Sequence, residues 1–405
     1  MNPIRKRIWR IYLVALLLML CLVLLCACNR DTSYNVSGDT VSSPNHFMAK
    51  FIMIIHDNTS LAHVSFGWTV IVFTIILRLI LSPLDIWQKI IARKNAKAME
   101  RMKPQLEALQ EKYGDDKQRM QQEQMALYKK EHYSMWGMCL PTIATFVVFF
   151  VVFAGFRQMV GYQYALDYKN SVNVFNAAVA EQVEKKYVDR DGDDSITLYD
   201  IDPESPTAVE DRDAAIEYAQ EAVYNAYYSE EQRENRKWLW IWNIFVSDNW
   251  AQSVPNYTSI TGQTGMATSK LSGVEKAEYE MVMGKVFEGA KSWGKNGKWN
   301  GLLVLPVLSI LLSFLSTFLL SKAQGQPPQP TQQTADGKNP MNTSKMMQWI
   351  MPIMMGVFAL MYSGAFALYM FTSSAVAIVF QLTFNLIGRM IDGPKGGNVK
   401  VAKKK

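Results

Sequence analysis

Five stretches of this chain are long and apolar enough to cross a bilayer, at roughly 64–84, 138–160, 300–322, 346–361 and 364–388. Nothing else in the sequence restricts the possible folds as strongly. Inside hydrocarbon every backbone N–H and C=O must find its partner within the protein, so each stretch is expected to be a helix. The expected class is an all-α membrane protein with a five-transmembrane-helix core. Only Tyr362-Ser363-Gly364 separates the last two stretches, which therefore read as a helical hairpin. The mean hydropathy of −0.03 hides this pattern, because very polar segments dilute the apolar ones. Four cysteines in 405 residues are too few for a disulfide scaffold. A formal net charge of +6 is too mild to suggest a specific DNA binder.

The start of the chain reads as an export signal. Arg5, Lys6, Arg7 and Arg10 precede an apolar run over 11–27 that ends Leu25-Cys26-Ala27-Cys28. This ending resembles a lipobox, in which residues 1–27 are removed and Cys28 carries the lipid. A bare membrane anchor is the alternative, and it also puts residue 29 outside. The remaining segments then alternate. An external segment covers 28–63, a cytoplasmic segment 85–137, an external insert 161–299, a cytoplasmic loop 323–345 and a cytoplasmic tail 389–405. Charge agrees with this arrangement. The 85–137 segment carries eleven Lys and Arg against eight acids, and the 161–299 segment fourteen against twenty-three. Long loops count little in the positive-inside rule, so the N-terminal basic cluster and the tail bases Arg389, Lys395, Lys400 and Lys403 to Lys405 carry more weight.

Polar residues within the spans fall on stripes. Thr74, Arg78 and Ser82 follow i, i+4, i+8. Thr142 and Thr145 line the second span, Ser309, Ser313, Ser316 and Ser321 the third, and Ser374, Gln381 and Asn385 the fifth. Each stripe alone is explained by hydrogen bonding between helices. Arg78 changes the balance, because an arginine at mid-bilayer costs roughly 2.5–3.5 kcal/mol on insertion scales. Snorkelling to the inner headgroups is one way to house it. A hydrated interior shared by the four stripes is another. No Asp or Glu lies in the middle of a span, which argues against a carboxylate proton relay. Six methionines crowd 346–361, suiting either a surface that accepts many apolar shapes or simple gap-filling.

Between the first two spans, Met99, Met102, Leu106, Leu109 and Tyr113 follow the 3,4 spacing of a coiled-coil seam. Gly114-Asp115-Asp116 interrupts it, and the Asp pair can cap a second helix carrying Met120, Leu127 and Tyr128. The two helices read as an antiparallel hairpin, with a bend expected at Pro104. Its Lys-, Arg- and Gln-rich outer faces would meet solvent, anionic lipid, ribosomal RNA or nascent chains.

These residues together resemble the YidC/Oxa/Alb family of membrane protein insertases. Thr74-Ile-Ile-Leu-Arg78-Leu-Ile-Leu-Ser-Pro83-Leu84 is similar to the family's first conserved span. The hairpin from Pro104 through Tyr113-Gly-Asp-Asp to Leu127-Tyr128-Lys-Lys-Glu131 resembles the family's cytoplasmic hairpin. Gly137-Met-Cys139-Leu-Pro141, Trp238-Leu-Trp-Ile241, Leu305-Pro306, Met351-Pro352 and Leu368-Tyr369 fall in the family's order. The lipobox start and basic tail resemble the lipoprotein-type form of bacteria with one membrane. The resemblance implies a hydrophilic groove open to the cytoplasm and to lipid, with Arg78 as the groove arginine. Thr74, Ser82, Thr142, Thr145, Ser309, Ser313, Gln381 and Asn385 would line it. It also implies that nascent membrane proteins are the substrates. The ribosome, the signal-recognition machinery, the Sec translocon and membrane lipids are the implied partners. No covalent chemistry and no required cofactor are implied.

One motif stands apart. In the external insert Asp189, Asp191, Asp193 and Asp200 occupy positions 1, 3, 5 and 12 of a calcium-type loop, with Ser195 offering its carbonyl. Asp194 replaces the usual glycine at position 6, and an acidic solvated turn is the alternative. A ligand- or calcium-binding receptor or channel that works through this insert is accordingly the rival to an insertase. An enzyme is not expected, since His46, His56, His63 and His132 are scattered and no nucleophile or phosphate motif appears.

Overall fold

Apolar stretches of bilayer length must pair their own backbone groups, which dictates helices even where Val, Ile and Phe are frequent. The computed structural model describes residues 33–36, 40–59, 65–113, 116–133, 135–191, 208–250, 252–261, 270–291, 299–324, 353 and 356–392. The elements run β1 (Ser33–Asn35), α1 (Phe47–Asp57), α2 (Phe66–Tyr113), α3 (Lys117–Lys130), α4 (Met135–Asp191) and α5 (Ala208–Tyr227). They continue with α6 (Glu230–Arg236), α7 (Tyr257–Thr261), β2 (Lys270–Ser272), α8 (Lys276–Lys291), α9 (Val304–Gln324) and α10 (Gly364–Asp392). Among the described residues the two short strands are the only named ones, and they pair in parallel, Tyr34 opposite Leu271. Helix α2 and residues Gly364–Ile387 of α10 are long and apolar enough to cross a membrane, and Val304–Leu319 is a shorter apolar helix. Residues 138–160 lie inside α4, while most of 346–355 falls outside the described residues.

The chain forms two compact units. The first contains Met1–Thr74, Ile143–Ser309 and Gly356–Met370. Its core is aromatic. Phe153 meets the Tyr362 ring edge-on at 4.3 Å, and Phe149, Phe156 and Phe366 close around the same cluster. Such offset and edge-on pairs are worth about 0.5–1.5 kcal/mol beyond the area they bury. Gly67 is required by packing here, since a Cβ at that position would run into the Trp238 ring. Near the N-terminal strand, Gln158 accepts from the His46 N–H at 2.7 Å through Oε1 and from the Tyr34 hydroxyl at 3.0 Å through its carbonyl.

The segment 161–299 adds helices to this unit. Helices α5 and α8 pack together, joined by Lys285–Glu221 at 2.5 Å and by the Tyr228 hydroxyl on Val286 O. Arg236 is buried, pairs with Asp167 at 3.4 Å and lies 3.7 Å from the centre of the Tyr227 ring. Burial pushes the Asp167 carboxyl up, and the Arg236 guanidinium opposes that shift. A buried charge without its partner is expensive, so each of these two residues depends on the other.

The same unit solves a harder problem where α9 and α10 begin. The first N–H groups of a helix lack partners of their own. Asp248, fully buried, accepts from Leu303 N at 3.1 Å and Leu305 N at 2.8 Å. Gly364 N and Ala365 N donate to the carbonyls of Val246 and Ile244 at 2.8 and 2.7 Å. Asn300, also fully buried, accepts from Asn243 N and donates to the carbonyls of Asn243, Val246 and Ser247. One loop, 243–249, therefore caps two apolar helices. Asp248→Ala should remove about 0.5–2 kcal/mol of stability, the usual value of a lost cap. The purified protein should melt at a lower temperature, whereas Asp248→Asn should recover part of the loss.

The second unit contains Ile75–Thr142, Ile310–Met355 and Phe371–Lys405. Helix α2 continues through Pro83 and Pro104, so the apolar stretch and the first hairpin helix are one backbone element. The Asp116 side chain caps α3 by accepting from Arg119 N at 3.1 Å. Ala98, Met99, Met102, Leu106 and Leu127 form a buried cluster between α2 and α3, with Leu109, Tyr128 and Tyr133 packed on it. Arg101 and Glu131 pair at 3.2 Å alongside.

Candidate functional site

The charged residue in the first apolar stretch organises the second unit. Arg78 donates through Nε and Nη2 to the Ser373 hydroxyl of α10, at 2.8 and 2.5 Å. Its Nη1 stands 3.7 Å from Asp85 Oδ2, further along α2. The arginine and the aspartate side chains are each 19% exposed, so neither is sealed off. Lys89 is buried, with its ammonium 5.8 and 5.9 Å from the centres of the Phe380 and Phe384 rings. Arg93 lies over Phe384 at 5.2 Å. Aromatic faces of this kind stabilise cations where water is scarce.

Further polar pairs sit in the same unit. Ser313 and Ser374 share a hydrogen bond at 3.1 Å, and Gln381 Nε2 donates to Asn385 Oδ1 at 3.0 Å. Other positions on these helices are apolar and exposed, among them Leu79, Ile80, Leu311, Phe318, Val379 and Leu386. Exposed apolar residues on helices of this length fit a hydrocarbon surrounding.

The expected residues divide into groups. Arg78, Ser313, Gln381 and Asn385 are drawn into polar contacts of the second unit. Ser82 turns its hydroxyl onto Leu79 O at 2.7 Å. Thr74 belongs to the first unit and donates to Val70 O at 2.6 Å. Ser309, also in the first unit, bonds Ala367 O at 3.0 Å and so ties α9 to α10. Thr145 is exposed on α4, and the Thr142 side chain lies outside the described residues. Cys28, Asp193, Ser195 and Asp200 also lie outside them. Asp189 and Asp191 form the last turn of α4, so helix continues where the calcium-type loop would begin. Among the described residues no group of His, Cys, Asp and Glu is arranged to hold a metal ion. Ser373 escaped the stripe pattern because it sits beside the Ser374–Gln381–Asn385 face. The run Thr372-Ser373-Ser374 in an apolar helix was the available signal.

Long apolar helices that leave leucine, isoleucine and phenylalanine side chains exposed place the chain in the class of helical membrane proteins. The family model described as 60Kd inner membrane protein matches residues 57–186 and 220–390, well over half of the chain, and the chain belongs to that family. The unmatched 187–219 contains the acidic run of the insert. An 89-residue stretch is 39% identical to the membrane protein insertase YidC of Ectopseudomonas mendocina (strain ymp), covering 22% of this chain and 15% of that relative. Over 103 residues the chain is 36% identical to the membrane protein insertase YidC of Xylella fastidiosa (strain M12), covering 25% and 17%. The YidC of Stenotrophomonas maltophilia (strain K279a) is 36% identical over 89 residues. The aligned stretches thus span only 15–17% of the length of these curated relatives.

Ser373 is the hydroxyl acceptor for two of the guanidinium's donors. Ser373→Val should therefore cost about 1.5–3 kcal/mol, the usual range for a hydrogen bond to a charged group. Melting of the purified variant would show the loss. Arg78→Leu combined with Ser373→Val should melt higher than Ser373→Val alone, because the guanidinium that lost its hydroxyl acceptor is gone.

Proposed function

We propose that this protein is a membrane protein insertase and chaperone that carries nascent segments from the cytoplasm into the bilayer. The observation that carries the reading is Arg78, a half-buried cation in an apolar helix held by Ser373 and Asp85 and still partly open. Moving a polar segment into hydrocarbon is opposed by the cost of stripping water from its backbone and charges. A guanidinium in a wet recess lowers that cost by offering charge and hydrogen bonds part-way across. The apolar part of the segment then leaves along exposed positions such as Leu311 and Phe318 of α9 and Val379 of α10. The protein makes and breaks no covalent bond in this scheme.

In this reading the core has five spans around a groove open to the cytoplasm. Residues 85–137 form a cytoplasmic hairpin and 161–299 lie outside. Cys28 is lipidated on the outer face, and the tail is cytoplasmic. Exposed Trp250, Trp299 and Leu302 beside the start of α9 suit the outer headgroup layer, where aromatic side chains collect. The ribosome would meet the hairpin's basic face, and the Sec translocon and signal-recognition machinery would deliver other substrates. The three similar relatives are named as insertases, which supports the same reading.

Depletion of a host's own insertase followed by complementation tests it. The wild-type chain should restore insertion of a small single-span protein. Arg78→Ala and deletion of residues 95–131 should each reduce it several-fold. Restoration by both variants to the wild-type level would contradict the mechanism.

A further inference from the structure

An acidic residue beside the cation is what an insertion site for acidic segments would be expected to avoid. Between Phe66 and Met99, Asp85 is the sole carboxylate, against Arg78, Lys89, Arg93, Lys94 and Lys97. It stands next to the one cation placed within the first apolar stretch. The guanidinium is only partly satisfied by α10, since Nε and Nη2 both converge on a single oxygen, Ser373 Oγ. Nη1 is left to Asp85, at 3.7 Å. That separation is an ion pair but is too long for a hydrogen bond. Asp85 therefore neutralises Arg78 without locking it. Lys89, one helical turn beyond Asp85, adds a second cation, this one buried, so the described cluster of Arg78, Asp85 and Lys89 keeps one net positive charge.

We propose that Asp85 is a resident counter-carboxylate. It occupies Arg78 Nη1 when no substrate is present, and it gives way to a carboxylate on the incoming segment. Its consequence is selectivity. An acidic segment must compete with a carboxylate already tethered beside the guanidinium, so the site prefers acidic over neutral segments only mildly. A segment held by Arg78 is also released easily, because Asp85 stands ready to replace it. Without Asp85 the cluster would carry two unopposed cations and would discriminate strongly between acidic and neutral segments. The inference rests on the insertase reading and adds to it the role of Asp85, a carboxylate that competes with the incoming one.

The test uses the full-length protein in lipid vesicles and two versions of one small single-span substrate, differing by Asp or Asn in the segment that crosses. Wild type should insert both, with a small acidic-to-neutral ratio of rates. Asp85→Asn and Asp85→Ser should raise that ratio, by about tenfold if the lost competition is worth ~1.4 kcal/mol. Asp85→Glu, which keeps the charge, should bring the ratio back towards wild type. In an Arg78→Ala background, Asp85→Asn should change the ratio far less, Lys89 being the one cation of the cluster left. If the neutral variants slow or speed both substrates by one common factor, Asp85 is structural and the proposal is overturned. The same holds if the ratio rises by as much without Arg78 as with it. Failure of the wild-type protein to insert either substrate would overturn the insertase reading itself, and this inference with it.

Discussion

An arginine in an apolar helix must be given partners, and the second unit is arranged around that requirement. Leaving a guanidinium unpaired in hydrocarbon costs several kcal/mol. Ser373 supplies a hydroxyl from another helix, and Asp85 supplies opposite charge from the arginine's own helix. Both partners are weak in the sense that matters. The hydroxyl is neutral, and the carboxylate stands beyond hydrogen-bonding distance. The guanidinium is stable where it lies and remains available, the combination a transient binding site needs. Ser313 with Ser374 and Gln381 with Asn385 add polar groups to the unit without adding charge.

The first unit meets a different demand, the ends of apolar helices. Asp248, Asn300 and the carbonyls of 244 and 246 satisfy the first N–H groups of α9 and α10. Buried donors without partners would cost about 1–3 kcal/mol each, so this loop decides whether two helices can begin where they do. Arg236 and Asp167, with the paired helices α5 and α8, brace the segment from which the loop comes.

Much of this was legible in the residue pattern. Apolar length marked α2, α9 and α10, and the 3,4 spacing of Met99, Met102 and Leu106 marked the packed seam against α3. The break between the apolar stretch and the hairpin was not a break in backbone, since α2 runs on to Tyr113. A change of solvent along a helix alters side chains and leaves the hydrogen-bond ladder intact. Stripes located polar residues but not the direction of their hydroxyls. Thr74 and Ser82 return theirs to carbonyls of their own helix, an option open to any helical Ser or Thr. Asp248 was invisible as a cap because the N–H groups it serves lie more than fifty residues later in the chain. Ser373 was passed over because a neighbouring serine fitted the periodicity better.

The central claim is that a segment in transit visits the polar cluster of the second unit. A photoreactive side chain at Gln381, buried beside Asn385, reports this in living cells when a short membrane protein is stalled on the ribosome. The account predicts an adduct between Gln381's position and the stalled chain, lost when synthesis is allowed to finish, and none from the exposed position Trp250 of the first unit. Absence of an adduct at 381, in a variant that still restores insertion, would contradict it.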